Sequence, residues 1–318
     1  MANIDYLHRH KEFPELIRII AEEQSIDPGL VEKDYWIMHI LFGLQRQGFT
    51  YQLKGGTSLS KGFKIINRFS EDIDIFIKPP AEFNINENPN NNKSRNIVAK
   101  KSFYDWLAEN IHIDGIIKTE RDIAFDNEQT YNSGGIRLFY ETYFDIVDGI
   151  KEGVLLEAGF DNVTPNTPIT ISSWAYDSAL NNAVSILDNR AIDLHCYHPG
   201  YTLVEKLQTV ATKFRKEQES GDEGVNFMRQ YYDIASLLAH PEVQEFIGSD
   251  EYLAHKKKRF PTSDLQVPLK ENPAFLLEDE KIRSSFKNRY HKTRTLYYKG
   301  QPDLDEILSN IKIYLEQL

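Results

Sequence analysis

The chain has 318 residues, of which 41% are hydrophobic and 27% charged, with a single cysteine, Cys196, and a formal net charge of −11. This is an ordinary globular balance, one cysteine excludes an internal disulfide and fits a reducing cytoplasm, and no apolar run approaches the roughly 20 residues that cross a bilayer. The opening MANIDYLHRHKEF lacks the basic-then-apolar order of a secretory signal, and net acidity argues against a protein that coats nucleic acid, where phosphate contacts dominate affinity.

The first 48 residues read as helical. Pro14 starts one short segment, and Asp27-Pro28 supplies an N-cap and a first-turn proline for a second. That second helix carries Leu30, Ile37, Leu41 and Leu44 on roughly one face and stops near Gly48. Lys33 and Asp34 fall on or beside it and read as packing or ion-pair residues that hold it against the rest of its domain. From about 50 to 78 the pattern predicts strand, loop, helix over 59–66, and strand. Residues 79–95, including the asparagine-rich AEFNINENPNNNKSR, read as a polar loop with almost nothing to bury, mobile over the site. A helix near 96–110 follows, then strands at 119–125, 136–144, 154–160, 169–174 and 191–195, which predicts a mixed, largely antiparallel sheet. From Leu203 the period is helical, with Leu203, Leu207, Val210, Ala211 and Phe214 in one stripe. His198-Pro199-Gly200 reads as a turn, so the expected domains are 1–198, α/β with the N-terminal helices, and 199–318, helical.

The chemistry concentrates in Lys54-Gly55-Gly56-Thr57-Ser58-Leu59-Ser60-Lys61, followed ten residues later by Glu71-Asp72-Ile73-Asp74-Ile75. Side chains alternate along a strand, so Asp72 and Asp74 project to one face while Ile73, Ile75 and Ile77 pack. Two carboxylates on one face suit Mg²⁺, which takes a few hard oxygens, water and the substrate's phosphates. Gly55 and Gly56 adopt conformations closed to other residues and let backbone N–H groups approach a phosphate, and Ser58 adds a hydroxyl. Alone, a Gly-Gly-Thr-Ser stretch is an ordinary turn and two aspartates around an isoleucine are a solvated strand edge; their order and separation are what point to a nucleotide site. A Walker A loop is excluded, because Ser60 stands where its second glycine belongs and Gly62 where it needs Ser or Thr.

The stretch from Lys54 to Ile77, KGGTSLSKGFKIINRFSEDIDIFI, resembles the signature of the AbiEii/AbiGii toxin family of nucleotidyltransferases, within the DNA polymerase beta-like superfamily. Glu32-Lys33-Asp34-Tyr35-Trp36, Glu205-Lys206-Leu207 and Tyr232-Asp233-Ile234 match that family in the same order. The resemblance implies an α+β fold: a polymerase-beta-like catalytic domain with a mixed, largely antiparallel sheet, and a helical C-terminal domain. It implies transfer of a nucleoside monophosphate from an NTP to an acceptor hydroxyl with release of pyrophosphate, aided by Mg²⁺ or Mn²⁺. Asp72, Asp74, Lys206 and Asp233 are then the catalytic candidates, and Gly55, Gly56, Thr57, Ser58, Lys61 and Arg68 the nucleotide-binding ones. A third metal carboxylate is expected beside Asp72 and Asp74. Glu157, a lone acid in the apolar Val154-Leu155-Leu156-Glu157-Ala158, is preferred, with Asp193 the alternative. Lys206 would stabilise charge on the leaving group, and Asp233 would orient Lys206 or activate the acceptor. Without the resemblance, Asp233 reads as an ion-pair partner of Arg229 one turn earlier. Lys54, Lys61 and Arg68 read equally as phosphate ligands or as local ion-pair partners.

The family further implies a bacterial or phage-defence toxin in the cytoplasm, a cognate antitoxin, and RNA, in particular tRNA 3′ ends, as acceptor. Residues 281–300, KIRSSFKNRYHKTRTLYYKG, hold seven Lys or Arg and no acid, which leaves −18 on the rest of the chain. Tyr290, Tyr297 and Tyr298 interleave with those cations, a composition that suits phosphate contact with base stacking or, equally, a solvated helix face. Lys256-Lys257-Lys258-Arg259 is a second basic cluster. His195, Cys196 and His198 lack the paired spacing of a zinc site. A small-molecule or protein acceptor, and a nucleotide-binding module without turnover, are the alternative readings.

Overall fold

The computed structural model describes residues 4–147, 149–161, 163–224 and 227–318. By its internal contacts the chain forms two compact units, Met1–Gly62 with Phe69–Tyr197, and Phe63–Arg68 with His198–Leu318.

The first unit is built on a seven-stranded sheet among the described residues: β1 Tyr51–Lys54, β2 Asp72–Ile77, β3 Ile116–Asp122, β4 Ser133–Tyr140, β5 Val154–Gly159, β6 Asn166–Ile171 and β7 Ala191–Tyr197. Their order across the sheet is β3-β4-β5-β2-β1-β7-β6. β2 runs parallel to β5 and β1 to β7, while the other pairings are antiparallel; the mixed, largely antiparallel sheet is as expected. In β2, Ile73, Ile75 and Ile77 are buried and Asp72, Asp74 and Phe76 half-buried, the period of two that the sequence shows.

Helix α1, Phe13–Gln24, and helix α2, Pro28–Arg46, precede the sheet. Asp27 caps α2 by accepting the Gly29 N–H at 2.8 Å, and Pro28 sits in its first turn. α2 is buried nearly all round, including the consecutive charges Glu32, Lys33 and Asp34. Charges are not buried without partners, and each of these three holds a different piece of chain.

Three local expectations are corrected. The helix predicted at 59–66 is one short turn, Gly55–Thr57, that widens into a π-turn over Ser58–Gly62; the chain then leaves for the second unit. Trp174, the last residue of the strand predicted over 169–174, instead opens helix α3, Trp174–Asn181, because Ser173 accepts the Tyr176 N–H at 3.0 Å as its cap. The asparagine-rich loop is pinned: Asn96, in the first turn of helix α4, Ser94–Asn110, accepts the Asn86 N–H at 2.8 Å and donates to the Asn86 and Asn91 carbonyls. Phe83 adds an apolar anchor, its ring 5.6 Å from those of Phe103 and Trp106.

The second unit is helical. Its helix α5, Pro199–Ser220, is capped by His198, whose Nδ1 accepts the Gly200 N–H, and ends at Gly221 with φ of 74°. The stripe Leu203, Leu207, Val210, Ala211 and Phe214 is buried. Helices α6 Arg229–Leu238 and α7 Asp250–Arg259 pack on α5, Phe286 of α8 Glu280–His291 meets Phe214 edge-on, and α9 Leu304–Lys312 packs on α6. Residues 63–68 join this unit through polar contacts: the Asn67 N–H donates to the Tyr232 hydroxyl at 3.0 Å, and the Tyr298 hydroxyl donates to the Ile66 carbonyl at 3.2 Å.

Candidate active site

In the first unit β2 lies between β1 and β5, which places carboxylates from two strands side by side. Asp74 pairs in register with Glu157 of β5 on one side and with Lys54 of β1 on the other, and Asp72 pairs with Leu155. Asp72, Asp74 and Glu157 therefore share one face. Asp193, the alternative third carboxylate, is exposed on β7, two strands from β2, so the sheet brings Glu157 and not Asp193 to the aspartates. Burial, then the charges of Asp74 and Asp72, push the Glu157 carboxyl up to about 7, with Lys54 opposing. Lys54 also holds Asp161 at 3.1 Å. Asp161 was not singled out from the sequence; the only hint was an acid directly after an apolar strand.

The glycine turn is joined to β2 at two points. Gly55 has φ of 72°, and a Cβ there would stand 2.1 Å from Asp74 Oδ2, so only glycine lets the turn approach that carboxylate. Thr57 Oγ1 donates to the Asp72 carbonyl at 2.6 Å. The Thr57 hydroxyl is thus occupied in holding the strand, and what this part of the chain offers an anion is backbone N–H. Ser58 Oγ is buried without a nitrogen or oxygen partner among the described residues. Its polar neighbour is the thiol of Cys196, which burial pushes up to about 12, with the Ser58 hydrogen bond opposing.

The three buried charges of α2 each hold a different piece of chain. Glu32 accepts from Thr142 Oγ1 at 2.6 Å and from the Tyr143 N–H at 3.1 Å. Lys33 donates to the Lys151 carbonyl at 2.7 Å; burial lowers its ammonium to about 8, with Glu71 and Asp72 opposing that fall. Asp34 pairs with Lys61 at 2.8 Å and accepts the Trp174 N–H at 2.8 Å. Lys61 is therefore an ion-pair partner, one of its two sequence readings.

Arg68, Lys206 and Asp233 meet in the second unit. Asp233 is fully buried on α6; Arg68 grips it with Nε at 2.7 Å and Nη2 at 2.6 Å, and Lys206 donates to it at 2.7 Å. Lys206 also donates to Gln230 Oε1 at 2.8 Å. Burial alone would raise the Asp233 carboxyl, but Arg68 and Lys206 hold it at about 2. The partner of Asp233 is thus Arg68, 165 residues away in sequence, and not Arg229.

The basic segment is largely structural. Tyr290 and Tyr297 are buried and in edge contact, Arg289 is buried against Glu217, and Arg283 and Lys287 pair with Asp305. Lys281, Lys292, Arg294 and Lys299 are exposed. In the other basic cluster Lys256 donates to the Leu318 carbonyl and Arg259 faces Glu205. Of the histidines near Cys196, His195 bonds Asn166 and His198 caps α5. His8, His39 and Asp114 cluster closely enough to suggest a metal. There His39 Nε2 donates to the Asp114 carbonyl and Nδ1 accepts from Asn189, and burial lowers its imidazole to about 4. The ring has no lone pair left for a cation, so this is a hydrogen-bond clamp.

Among curated proteins none matches the chain. Among solved structures it is similar to an antigenic nucleotidyltransferase-like protein from Paracoccidioides brasiliensis, at 15% identity over 88% of this chain and 93% of that one, with a TM-score of 0.36. The family model of the nucleotidyl transferase AbiEii toxin, described as a type IV toxin–antitoxin system, matches residues 39–310. No helix among the described residues is long and apolar enough to cross a membrane. The match takes in the glycine turn, the carboxylate face and the Arg68–Asp233–Lys206 cluster, though not the Glu32–Asp34 charges, and it runs over most of the sequence: the chain belongs to the AbiEii family of nucleotidyltransferase toxins.

Proposed function

We propose that the protein is a Mg²⁺-dependent toxin that transfers a nucleoside monophosphate from an NTP to an RNA hydroxyl, with tRNA 3′ ends as the acceptor. The observation that carries the metal reading is the crowding of Asp72, Asp74 and Glu157 on one face, with Glu157 pushed up to about 7 by burial and its neighbours. A hard-oxygen donor set gathered on one face fits a divalent cation. Asp72, Asp74 and Glu157 would hold it, and when bound it would supply charge neutralisation at the reacting phosphate. Gly55 and Gly56 would present backbone N–H groups to the phosphates, and Thr57 fixes their turn on β2. Lys206 enters by family resemblance as the cation for the departing pyrophosphate, and its contact with Asp233 supports Asp233 as the group that orients it. Buried between two cations, Asp233 is poorly suited to activate an acceptor. Exposed Lys281, Lys292, Arg294 and Lys299 support a polyanionic acceptor, bound by charge and without stacking on Tyr290 or Tyr297. Cytoplasmic action, phage defence and restraint by a cognate antitoxin complete the reading by family resemblance.

The test is incubation with Mg²⁺ and each α-phosphate-labelled NTP, with and without total tRNA, beside the Asp72→Ala, Asp74→Ala double variant. Label on tRNA that requires both aspartates supports the proposal and names the base. Label on the protein, or on nothing, overturns the RNA acceptor.

A further inference from the structure

We propose that Asp34 is a positioning residue for the nucleotide: through Lys61 it braces the far end of the glycine turn, so that Lys61 acts as a strut and not as a phosphate ligand. The inference rests on the reading that this turn receives the phosphates. It starts from an oddity of α2, a carboxylate 2% exposed in the middle of a buried helix. Both of its oxygens are used. Lys61 lies 2.8 Å from Oδ1 and 3.1 Å from Oδ2, and the Trp174 N–H donates to Oδ2 at 2.8 Å. One carboxylate thereby joins α2, the π-turn Ser58–Gly62 and the first turn of α3. The Lys61 ammonium also stands over the Trp174 ring at 4.5 Å, a second contact that fixes its direction.

The turn is then held at both ends. Gly55 and Thr57 seat its beginning on β2, and Lys61 seats its end on Asp34. Backbone N–H groups bind a phosphate best when the backbone is fixed beforehand, because a prepaid ordering cost is not charged to binding. Lys61 has its charge balanced by a buried partner, which a free phosphate-binding cation would not.

The two roles for Lys61 predict opposite effects of Asp34→Asn. If Lys61 is a phosphate ligand, removing the competing carboxylate frees it, and nucleotide binding tightens or stays the same. If it is a strut, Asp34→Asn loosens the turn as much as Lys61→Met does. Equilibrium dialysis of labelled ATP, CTP, GTP and UTP with Mg²⁺ reads this without an acceptor. We expect Asp34→Asn and Lys61→Met each to raise the Kd of the nucleotide that binds best by about tenfold. The double variant should be no worse than either single, and Lys61→Arg, which keeps the pair, should stay near wild type. Asparagine is isosteric and keeps an acceptor for the Trp174 N–H, so Asp34→Asn is the variant best placed to fold. A lowered melting temperature with unchanged Kd would make the pair merely structural and overturn the inference, as would tighter binding in Asp34→Asn. If the wild type binds none of the four nucleotides, the reading of the glycine turn fails and this inference falls with it.

Discussion

At the scale of single residues the informative groups are buried charges, because each must be compensated where it sits. Glu157 is under-compensated. Its folded carboxyl titrates near 7 against 4.5 for the free side chain, so the ionised form is penalised by folding above pH 7 and the penalty vanishes below about 4.5. In metal-free protein at pH 8, Glu157→Gln should therefore stabilise, on the order of 2 kcal/mol in urea unfolding, while abolishing stabilisation by Mg²⁺. Equal stability of the two proteins at pH 8 would contradict this. Asp233 is the opposite case. Held at about 2 against 3.8, it contributes stability that is complete above pH 4 and is lost as pH falls toward 2. Arg68→Met removes its bidentate partner and should cost about 3–5 kcal/mol at neutral pH, with acid unfolding moved to higher pH. Glu157 is legible in sequence as a lone acid in an apolar strand, but the Arg68–Asp233 pair is not. Arg229 lay one turn from Asp233, whereas Arg68 is 165 residues distant, and nothing local distinguishes a buried arginine from a surface one.

At the scale of elements the glycine turn decides the site. Gly55 is needed twice over, for its φ of 72° and because a Cβ would stand 2.1 Å from Asp74 Oδ2. Gly55→Ala should lower turnover by about 100-fold, through displacement of Asp74, with the far-ultraviolet dichroism retained. Gly48 is the control: its φ is 81° but a Cβ there meets nothing within 4 Å. Gly48→Ala should cost about 1 kcal/mol of backbone strain and leave turnover unchanged. A comparable loss in both variants would mean that strain, and not the approach to Asp74, is what matters. The residues mark the turn but not its shape. Residues 59–66 have helical composition, yet the chain from Phe63 to Arg68 joins the second unit. Tertiary contacts overrode local propensity there, as they commonly do.

At the scale of the whole molecule, each unit has its own core and its own buried ion cluster, Asp34–Lys61 in the first and Arg68–Asp233–Lys206 in the second. A ligand that binds only the folded carboxylate face stabilises the unit that carries it by mass action. NTP with Mg²⁺ at about 100 times Kd should add close to 2.7 kcal/mol and raise the melting temperature of the first unit by several degrees. Asp72→Asn with Asp74→Asn should abolish the shift in calorimetry. A shift that survives both substitutions would place the nucleotide elsewhere.

What the sequence by itself determined was periodic and local. A period of two set Asp72 and Asp74 on one face above buried isoleucines, Asp27-Pro28 started a long helix, and the glycine pair marked the turn, whereas His198-Pro199-Gly200, which reads as a turn, is the cap and first turn of α5. These follow from covalent geometry and neighbouring residues, which any stretch of chain carries with it. The tertiary structure decided which charges meet. It put Glu157, and not Asp193, beside Asp74, gave Lys61 to Asp34 and Asp233 to Arg68, and buried Tyr290 and Tyr297 in a segment that reads as a nucleic-acid surface. The physical reason is that the energy of a buried charge depends on the partner the fold delivers across long sequence separations, through sheet register and helix packing, and neither of these is written in the residues on either side of it.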